Sequence, residues 1–348
     1  MAPVKNGRVL FNSVPTNYPV PGETVVYDTS QVIDLATVPL HGGFLLKTLV
    51  LSIDPYLRGR MRDENIKSYM PAFSVGMPIC SFGVGRVLRS EDQSVKVGDH
   101  IYGILQHAEY HVYKSKTELP SLRVLDNKYR LPWSIFLGAA GMPGKTAYLA
   151  WKLFSQAKPR DVVFVSAGAG MVGSFVLQLA KRDGLRTIAS TGSPEKLEFL
   201  KKINVDVPFN YKETQTRAIL EKQGPIDIYW DNVGGDTLEA ALDNANMCAR
   251  FLMCGAISAY NEPERPIRGL VNVFEKSLLL QGFIVFRLEE SYPHLVDEFY
   301  EKIPPLLAER EIKYKEDVTR GLDKVGDVIL KVQKGMNQGK AVVLVAEE

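Results

Sequence analysis

The sequence predicts the α/β class: a doubly wound parallel sheet joined to a smaller β-rich domain. Three observations predict it. A chain of 348 residues exceeds one ordinary core and suits two domains. Up to about Leu131 the apolar runs are short and punctuated by glycine and proline, as in a compact, partly closed β domain. From about Val162 onward strand and helix patterns alternate, which implies parallel strands with helices on both faces.

In the first region strands are expected at Val9–Phe11, Thr24–Tyr27, Phe44–Ile53, Gly83–Leu88 and Glu109–Tyr113, with a turn at Gly98-Asp99 leading into another. Arg58, Arg60 and Arg62 alternate, so on an extended segment they share a face, and a solvated face is expected in preference to an anion receptor. Gly141-Met-Pro-Gly-Lys-Thr-Ala-Tyr148 opens a helix running through Phe154 and marks the passage to the second domain.

The segment Ser166-Ala-Gly-Ala-Gly-Met-Val-Gly173 follows the β-branched run Val162–Val165 and precedes an apolar helical face of Val172, Phe175, Val176, Leu179 and Ala180. Gly168, Gly170 and Gly173 fit G-x-G-x-x-G on a strand-to-helix turn, where unpaired N–H groups and the helix dipole favour a pyrophosphate. A Rossmann-type dinucleotide site is the expectation. Beyond it come strand–helix pairs at Arg186–Ser190 and Pro194–Lys202, Val207–Asn210 and Thr214–Lys222, and Ile226–Trp230 and Thr237–Asn246. Strands at Arg250–Cys254 and Leu278–Val285, with a helical stretch near Leu270 between them, continue the series, and a helix from Pro293 to Glu309 closes it. The last segment, helical from Gly321 to Lys334 with a strand at Ala341–Ala346, is expected to return to the first domain.

Net charge is +2 with scattered basic residues, so nothing suggests a nucleic-acid partner. Cys80, Cys248 and Cys254 are odd in number and far apart, which suits reduced thiols in a cytoplasmic enzyme. The start, Met1-Ala-Pro-Val-Lys-Asn-Gly-Arg8, has no apolar signal core, and no apolar run approaches a membrane span, so no membrane partner is expected.

Several further segments carry a family resemblance: Ser52-Ile-Asp-Pro-Tyr-Leu-Arg-Gly-Arg-Met61, Gly141 to Tyr148, Phe209-Asn-Tyr-Lys212, Asp231-Asn-Val-Gly-Gly235, Cys254-Gly-Ala-Ile-Ser-Ala-Tyr-Asn261 and Gly335-Met-Asn-Gln-Gly-Lys340. In these the chain resembles the zinc-independent medium-chain dehydrogenase/reductases, in the branch of leukotriene/prostaglandin reductases and alkenal double-bond reductases. The resemblance spans nearly the whole chain. It implies a chaperonin-10-like β-barrel catalytic domain over residues 1–131, an NADP-binding Rossmann domain over 132–309, and a return to the catalytic domain over 310–348. It also implies a homodimer, and Leu278–Val285, as an apolar edge strand, would need covering. Zinc-dependent relatives of the wider superfamily carry Gly-His-Glu and a four-cysteine lobe; here the first place reads Pro78-Ile-Cys-Ser-Phe82 and there is no C-x-x-C, so no metal is expected. Cys80, His107 and His111 lack a ligand constellation and read as packing or surface residues.

The end of the second strand decides the cofactor. An NAD site usually has an acid there, whereas this chain has Ser190-Thr-Gly-Ser-Pro-Glu-Lys196. Gly192 and Ser193 give a small neutral turn, with Lys196 just beyond; Glu195 lies in the first helical turn, where acids are favoured by the dipole. Taken alone, Lys196 is equally a solvated helix lysine. The resemblance implies that Lys196 and Tyr211 bind the 2′-phosphate of NADPH. It also implies cofactor contacts at Gly170, Met171, Val172 and Gly173, at Asn232, and along Cys254, Gly255, Ala256, Ile257 and Tyr260. Phe283, Ile284, Val285 and Asn337 complete the implied set, Asn337 at the nicotinamide end.

Hydride delivered to the β-carbon of an α,β-unsaturated carbonyl puts negative charge on the carbonyl oxygen, and without zinc a hydroxyl must meet it. A phenol is protonated at neutral pH and can do so. Tyr260, after the fifth strand of the nucleotide domain, is the first candidate, because ligands gather at the carboxyl ends of such strands; taken without the resemblance, a lone loop tyrosine is more often a packing residue. Tyr56, beside Pro55, is the second, with a packing aromatic at the barrel rim as its equal alternative. Cys254 follows an apolar strand with no histidine nearby in sequence and is not expected to be a nucleophile. The expected activity is NADPH-dependent reduction of the double bond of enals, enones or related lipid carbonyls. Alternatives are an NADPH quinone reductase of the same fold and a non-catalytic NADPH-binding module.

Overall fold

The apolar, turn-punctuated runs of the first region build short strands. The structure is a computed structural model that describes residues 3–114, 122–262 and 265–348; Met1 and Ala2 of the segment read for a signal core lie outside the described residues. In chain order the strands are β1 Val4–Lys5, β2 Arg8–Phe11, β3 Val25–Asp28, β4 Val32–Ile33, β5 Phe44–Ser52, β6 Cys80–Ser90, β7 His100–Gln106, β8 Tyr110–Tyr113 and β9 Arg123–Val124. Long β5 and β6 pair antiparallel and bury Phe44, Leu46, Leu51 and Val87 in one core with Phe11, Ile79 and Leu105.

The arginine run is a correction. Residues Leu57–Arg60 form a short helix, α1, so the alternation does not put three guanidinium groups on one face. Arg60 is buried, donating to the Pro71 carbonyl at 3.0 Å and the Cys80 carbonyl at 3.0 Å, with its guanidinium 4.1 Å above the Phe73 ring. Arg58 donates to the carbonyls of Asn17 and Pro15, and Arg62 to those of Gly59, Ile66 and Met70. Alternate spacing fits a strand, but the nearby carbonyls left unpaired by irregular backbone recruit the guanidinium donors instead.

The second region alternates as expected: α2 Met142–Phe154, β10 Val162–Val165, α3 Met171–Arg182, β11 Arg186–Thr191, α4 Pro194–Lys202, β12 Val207–Asn210, α5 Thr216–Gln223, β13 Ile226–Asp231, α6 Gly235–Asp243, β14 Ala245–Met253, α7 Val271–Glu275 and β15 Leu279–Gly282. Boundaries differ from the sequence reading in this region: the strand expected to begin at Arg250 begins at Ala245, and two further differences have clear causes. The helix expected to reach Asn246 stops at Asp243, because Ala245 already pairs with Ile226. Strand β15 ends at Gly282, and Val285 opens a helix, α8 Val285–Ser291, followed by α9 Pro293–Ala308. Among the described residues this sheet has the order β12-β11-β10-β13-β14-β15, all parallel, so β10 and β13 flank the point where strand order reverses.

The chain then adds β16 Glu316–Arg320, which sequence reading missed, α10 Val325–Gln333 and β17 Lys340–Leu344. Strand β17 pairs parallel to β16 and antiparallel to β5. By internal contacts one unit comprises residues up to Leu137 plus Glu316–Glu348, and the other Gly138–Lys315. Residues 132–137 fall with the strands because the turn Trp133–Leu137 buries Ile135, Phe136 and Leu137 against β5 and β6, and Trp133 stacks on His100 at 3.8 Å. Among the described residues no helix is long and apolar enough to cross a membrane.

Candidate active site

In the nucleotide unit, β10 feeds directly into the glycine turn. Ala167 takes a left-handed φ of +49°, the Gly168 N–H donates to the Ser190 carbonyl at 2.8 Å, and Gly170 caps α3 with no side chain closing its N-terminus. The first-turn amides of Met171, Val172 and Gly173 therefore have no in-helix acceptor and lie at the positive end of the dipole, a setting that suits a pyrophosphate. A Cβ on Gly173 would sit 2.8 Å from the Ala167 carbonyl oxygen and 2.9 Å from the Gly168 Cα, so only glycine lets α3 close on the turn.

At the end of β11 the residues are Thr191, Gly192 and Ser193, with no acid among them. The Ser193 hydroxyl caps α4 by accepting from the Lys196 backbone N–H. Tyr211, half-exposed, bonds through its N–H to the Thr191 carbonyl at 3.0 Å, and its ring lies so close to Gly192 that a Cβ there would be 2.9 Å away. Glu195 is held below the ordinary carboxylate range by its own backbone amide and the Ser193 hydroxyl, the behaviour of a residue serving its own helix terminus.

Asp231 ends β13 and is fully buried. It accepts from the Tyr229 phenol at 2.7 Å and from the Val233 and Gly234 amides at 2.8 Å; burial still holds its carboxyl above the usual value. Asn232 bridges to the glycine turn, its amide donating to the Ser166 carbonyl at 2.7 Å and its N–H to the Ser166 hydroxyl at 2.9 Å. After β14 the Cys254 and Gly255 amides bond the Asp231 carbonyl, and a 3-10 turn over Ile257–Ala259, following Ala256, ends at Tyr260. The Tyr260 hydroxyl lies over Gly255, 3.3 Å from where a Cβ would be; burial raises its pKa, with the Ala256 backbone lowering it in part. Burial pushes the Cys254 thiol up to about 12, so it is no thiolate at neutral pH. Phe283 packs edge-on to Trp230 at 5.5 Å; Ile284 and Val285 lead into α8 rather than extending β15.

In the other unit, Tyr56 precedes α1. Its hydroxyl is buried and has no hydrogen-bond partner among the described residues, and burial followed by the Asp54 charge raises its pKa well above the usual phenol value. Two residues that sequence reasoning did not single out frame it. Lys340 and Asp54 form a buried ion pair at 2.7 Å, and their separation along the chain leaves no local signal to find. Asn337 donates to the Gly339 carbonyl at 2.6 Å. His107 is buried against the Ser81 hydroxyl at 2.7 Å and His111 packs edge-on to Tyr113; burial pushes their pKa values down to about 3 and about 4. Among the described residues no three His, Cys, Asp or Glu side chains form a group able to hold a metal ion.

Residues 22–120 match the family model described as the N-terminal domain of oxidoreductase, and residues 171–301 match that described as zinc-binding dehydrogenase. A 2-alkenal reductase (NADP(+)-dependent) of Nicotiana tabacum is 36% identical over 350 residues, covering 99% of each chain. The (+)-pulegone reductase of Mentha piperita is 36% identical, covering 88% of this chain and 89% of its own. Among solved structures, CurA of Vibrio vulnificus in complex with NADPH superposes with a TM-score of 0.87 at 30% identity, covering 98% of this chain and all of that one.

Proposed function

The chain belongs to the zinc-independent medium-chain dehydrogenase/reductases, in the branch of NADP-dependent alkenal and enone reductases, and from that premise we infer how its residues divide the work. The protein reduces the carbon–carbon double bond of α,β-unsaturated aldehydes and ketones, and its cofactor is NADPH. The cradle of Gly168, Gly170 and Gly173, where a side chain at Gly173 has no room, fits a dinucleotide pyrophosphate. NADPH bound there supplies the hydride that reaches the β-carbon of the substrate.

We assign the 2′-phosphate to Lys196, Tyr211 and the Gly192–Ser193 turn, since no acid stands at the end of β11 to repel it. Met171, Val172, Asn232, Cys254 through Ile257, Phe283, Ile284, Val285 and Asn337 are the remaining proposed cofactor contacts. The observation that carries the chemistry is the Tyr260 phenol, protonated at neutral pH as any phenol is, with burial raising its pKa further, and standing beyond β14 on a turn bonded to Asn232 and Val233. It donates to the substrate oxygen as negative charge develops there, an interaction that strengthens in the transition state. Tyr56, whose hydroxyl has no hydrogen-bond partner among the described residues, is the second donor candidate.

We also propose a cytoplasmic homodimer. Support comes from β15, the edge of its sheet, where Leu279 and the neighbouring Leu270, Val271 and Phe274 are exposed. Light scattering at micromolar concentration is expected to give the mass of two chains. The activity is tested by following NADPH absorbance with an enal, an enone, a quinone and no acceptor. Loss of absorbance with the enal and enone, with the saturated carbonyl as product, is expected; turnover with the quinone alone overturns the reading.

A further inference from the structure

We propose that the buried Lys340–Asp54 ion pair, together with Gln333, positions the Tyr56 phenol for the reaction. The inference rests on the reading of Tyr56 as a phenol that meets the substrate. Every residue of the turn before Tyr56 is tied to the returning C-terminal segment. The Ile53 N–H donates to the Ala341 carbonyl at 3.1 Å, and the Ile53 carbonyl accepts from the Lys340 ammonium at 3.0 Å. Asp54 takes the same ammonium at 2.7 Å on one carboxylate oxygen and the Ser52 hydroxyl on the other. The Pro55 carbonyl accepts from the Gln333 side chain at 3.0 Å. On the far side of Tyr56, Arg60 fixes the chain to Pro71 and Cys80.

Among the described residues the hydroxyl of Tyr56 has no hydrogen-bond partner, so no hydrogen bond at the tip of the ring sets its direction, although the ring packs against the core. Direction is set at the root, by the backbone that this clamp holds. A clamp built from charges is a poor means of gaining stability, because desolvating both ions offsets most of their attraction and an apolar pair of similar size commonly does as well. What the pair supplies that an apolar contact does not is a fixed geometry: one ammonium with two acceptors in set directions, its side chain only 4% exposed, and Asp54 7%. A reacting group displaced by about 1 Å can lose roughly 100-fold in rate.

The test is a double-mutant cycle in the NADPH holoenzyme. Lys340→Met alone strands a buried carboxylate, so the charge-neutral Asp54→Asn/Lys340→Met protein is the main probe, with Gln333→Leu as a milder one that leaves the ion pair intact. Each is made with Tyr56 and with Tyr56→Phe, and kcat and the Michaelis constants for enone and NADPH are measured. Expected is a fall in kcat of about 10-fold for the neutral pair and about 3-fold for Gln333→Leu, with the NADPH constant within about 2-fold, and no further fall in the Tyr56→Phe background. An equal fall in both backgrounds, or an unchanged kcat, overturns the positioning role while leaving Tyr56 as a donor. If Tyr56→Phe itself turns over at the wild-type rate, the role of Tyr56 falls and the clamp's role falls with it.

Discussion

The glycine turn of the nucleotide unit, proposed to seat the cofactor, and the Tyr56 turn of the other unit, proposed to meet the substrate, are built by opposite means. The first works by leaving side chains out: Gly173 admits no Cβ, and α3 closes on the turn through backbone alone. The second works by bringing charged side chains in, from Asp54 and from Lys340 near the end of the chain. A site made of backbone is compact in sequence and tolerates no added atom. A site made of distant side chains is dispersed in sequence, and its failure is one of aim.

If that contrast is right, the largest effect comes from adding atoms to the backbone site. Gly173→Val should abolish measurable NADPH binding by fluorescence titration while the other unit keeps its fold; retained affinity would show that α3 can move off the turn. Next is Tyr260→Phe, which keeps the ring and removes the donor. Its kcat should fall by about 10²–10³-fold, or toward 10-fold if a cofactor hydroxyl shares the load, with NADPH affinity nearly unchanged. Should Tyr260→Phe work at the wild-type rate while Tyr56→Phe does not, the donor lies in the side-chain-built site instead. Lys196→Ala should raise the Michaelis constant for NADPH by roughly 10- to 100-fold, about 1.5–3 kcal/mol for one charge-assisted contact, and leave that for NADH almost untouched. Equal wild-type use of the two cofactors sinks the phosphate assignment.

Smaller effects separate the units by pH and by metal. His107 has a folded pKa pushed down to about 3 by burial, against about 6.5 when unfolded. The unfolded chain therefore takes up the proton first, so stability present above about pH 6.5 declines as pH falls from there toward 3, by about 2 kcal/mol at pH 5. Melting temperature should drop over this window, and His107→Gln should flatten the drop; an unaltered slope places the acid sensitivity elsewhere, His111 being next. Prolonged chelation should change nothing, and revival of a chelated, inactive enzyme by zinc would overturn the metal-free assignment.

Legibility in the sequence follows the same contrast. The turn from Ser166 to Gly173 was readable because strand run, glycines and helical face are contiguous, and each constraint acts between near neighbours. The parallel sheet around it follows from the alternation of elements, whereas the order of its strands is set by which helices cross to which face. Arg58, Arg60 and Arg62 misled because period-two spacing is common to a strand and to this irregular segment, and which carbonyls they grip depends on loops no local pattern fixes. Val285 misled because an apolar run continues past Gly282 whether it stays in a strand or enters a buried helix. Asp54 and Lys340 look like any surface acid and lysine until the fold pairs them.

The place of β17 between β5 and β16 has a consequence for the order in which the protein is made. The nucleotide unit is one continuous stretch, Gly138–Lys315, and every strand it needs has been synthesised before β16 begins. The other unit starts first and finishes last: until residues 340–344 leave the ribosome, β5 has an open edge at Val50–Ser52 and Asp54 has no lysine. During synthesis the nucleotide unit thus completes its sheet while the earlier-made strands wait with that edge exposed, and it is during this interval that the nascent chain most needs protection from aberrant strand pairing.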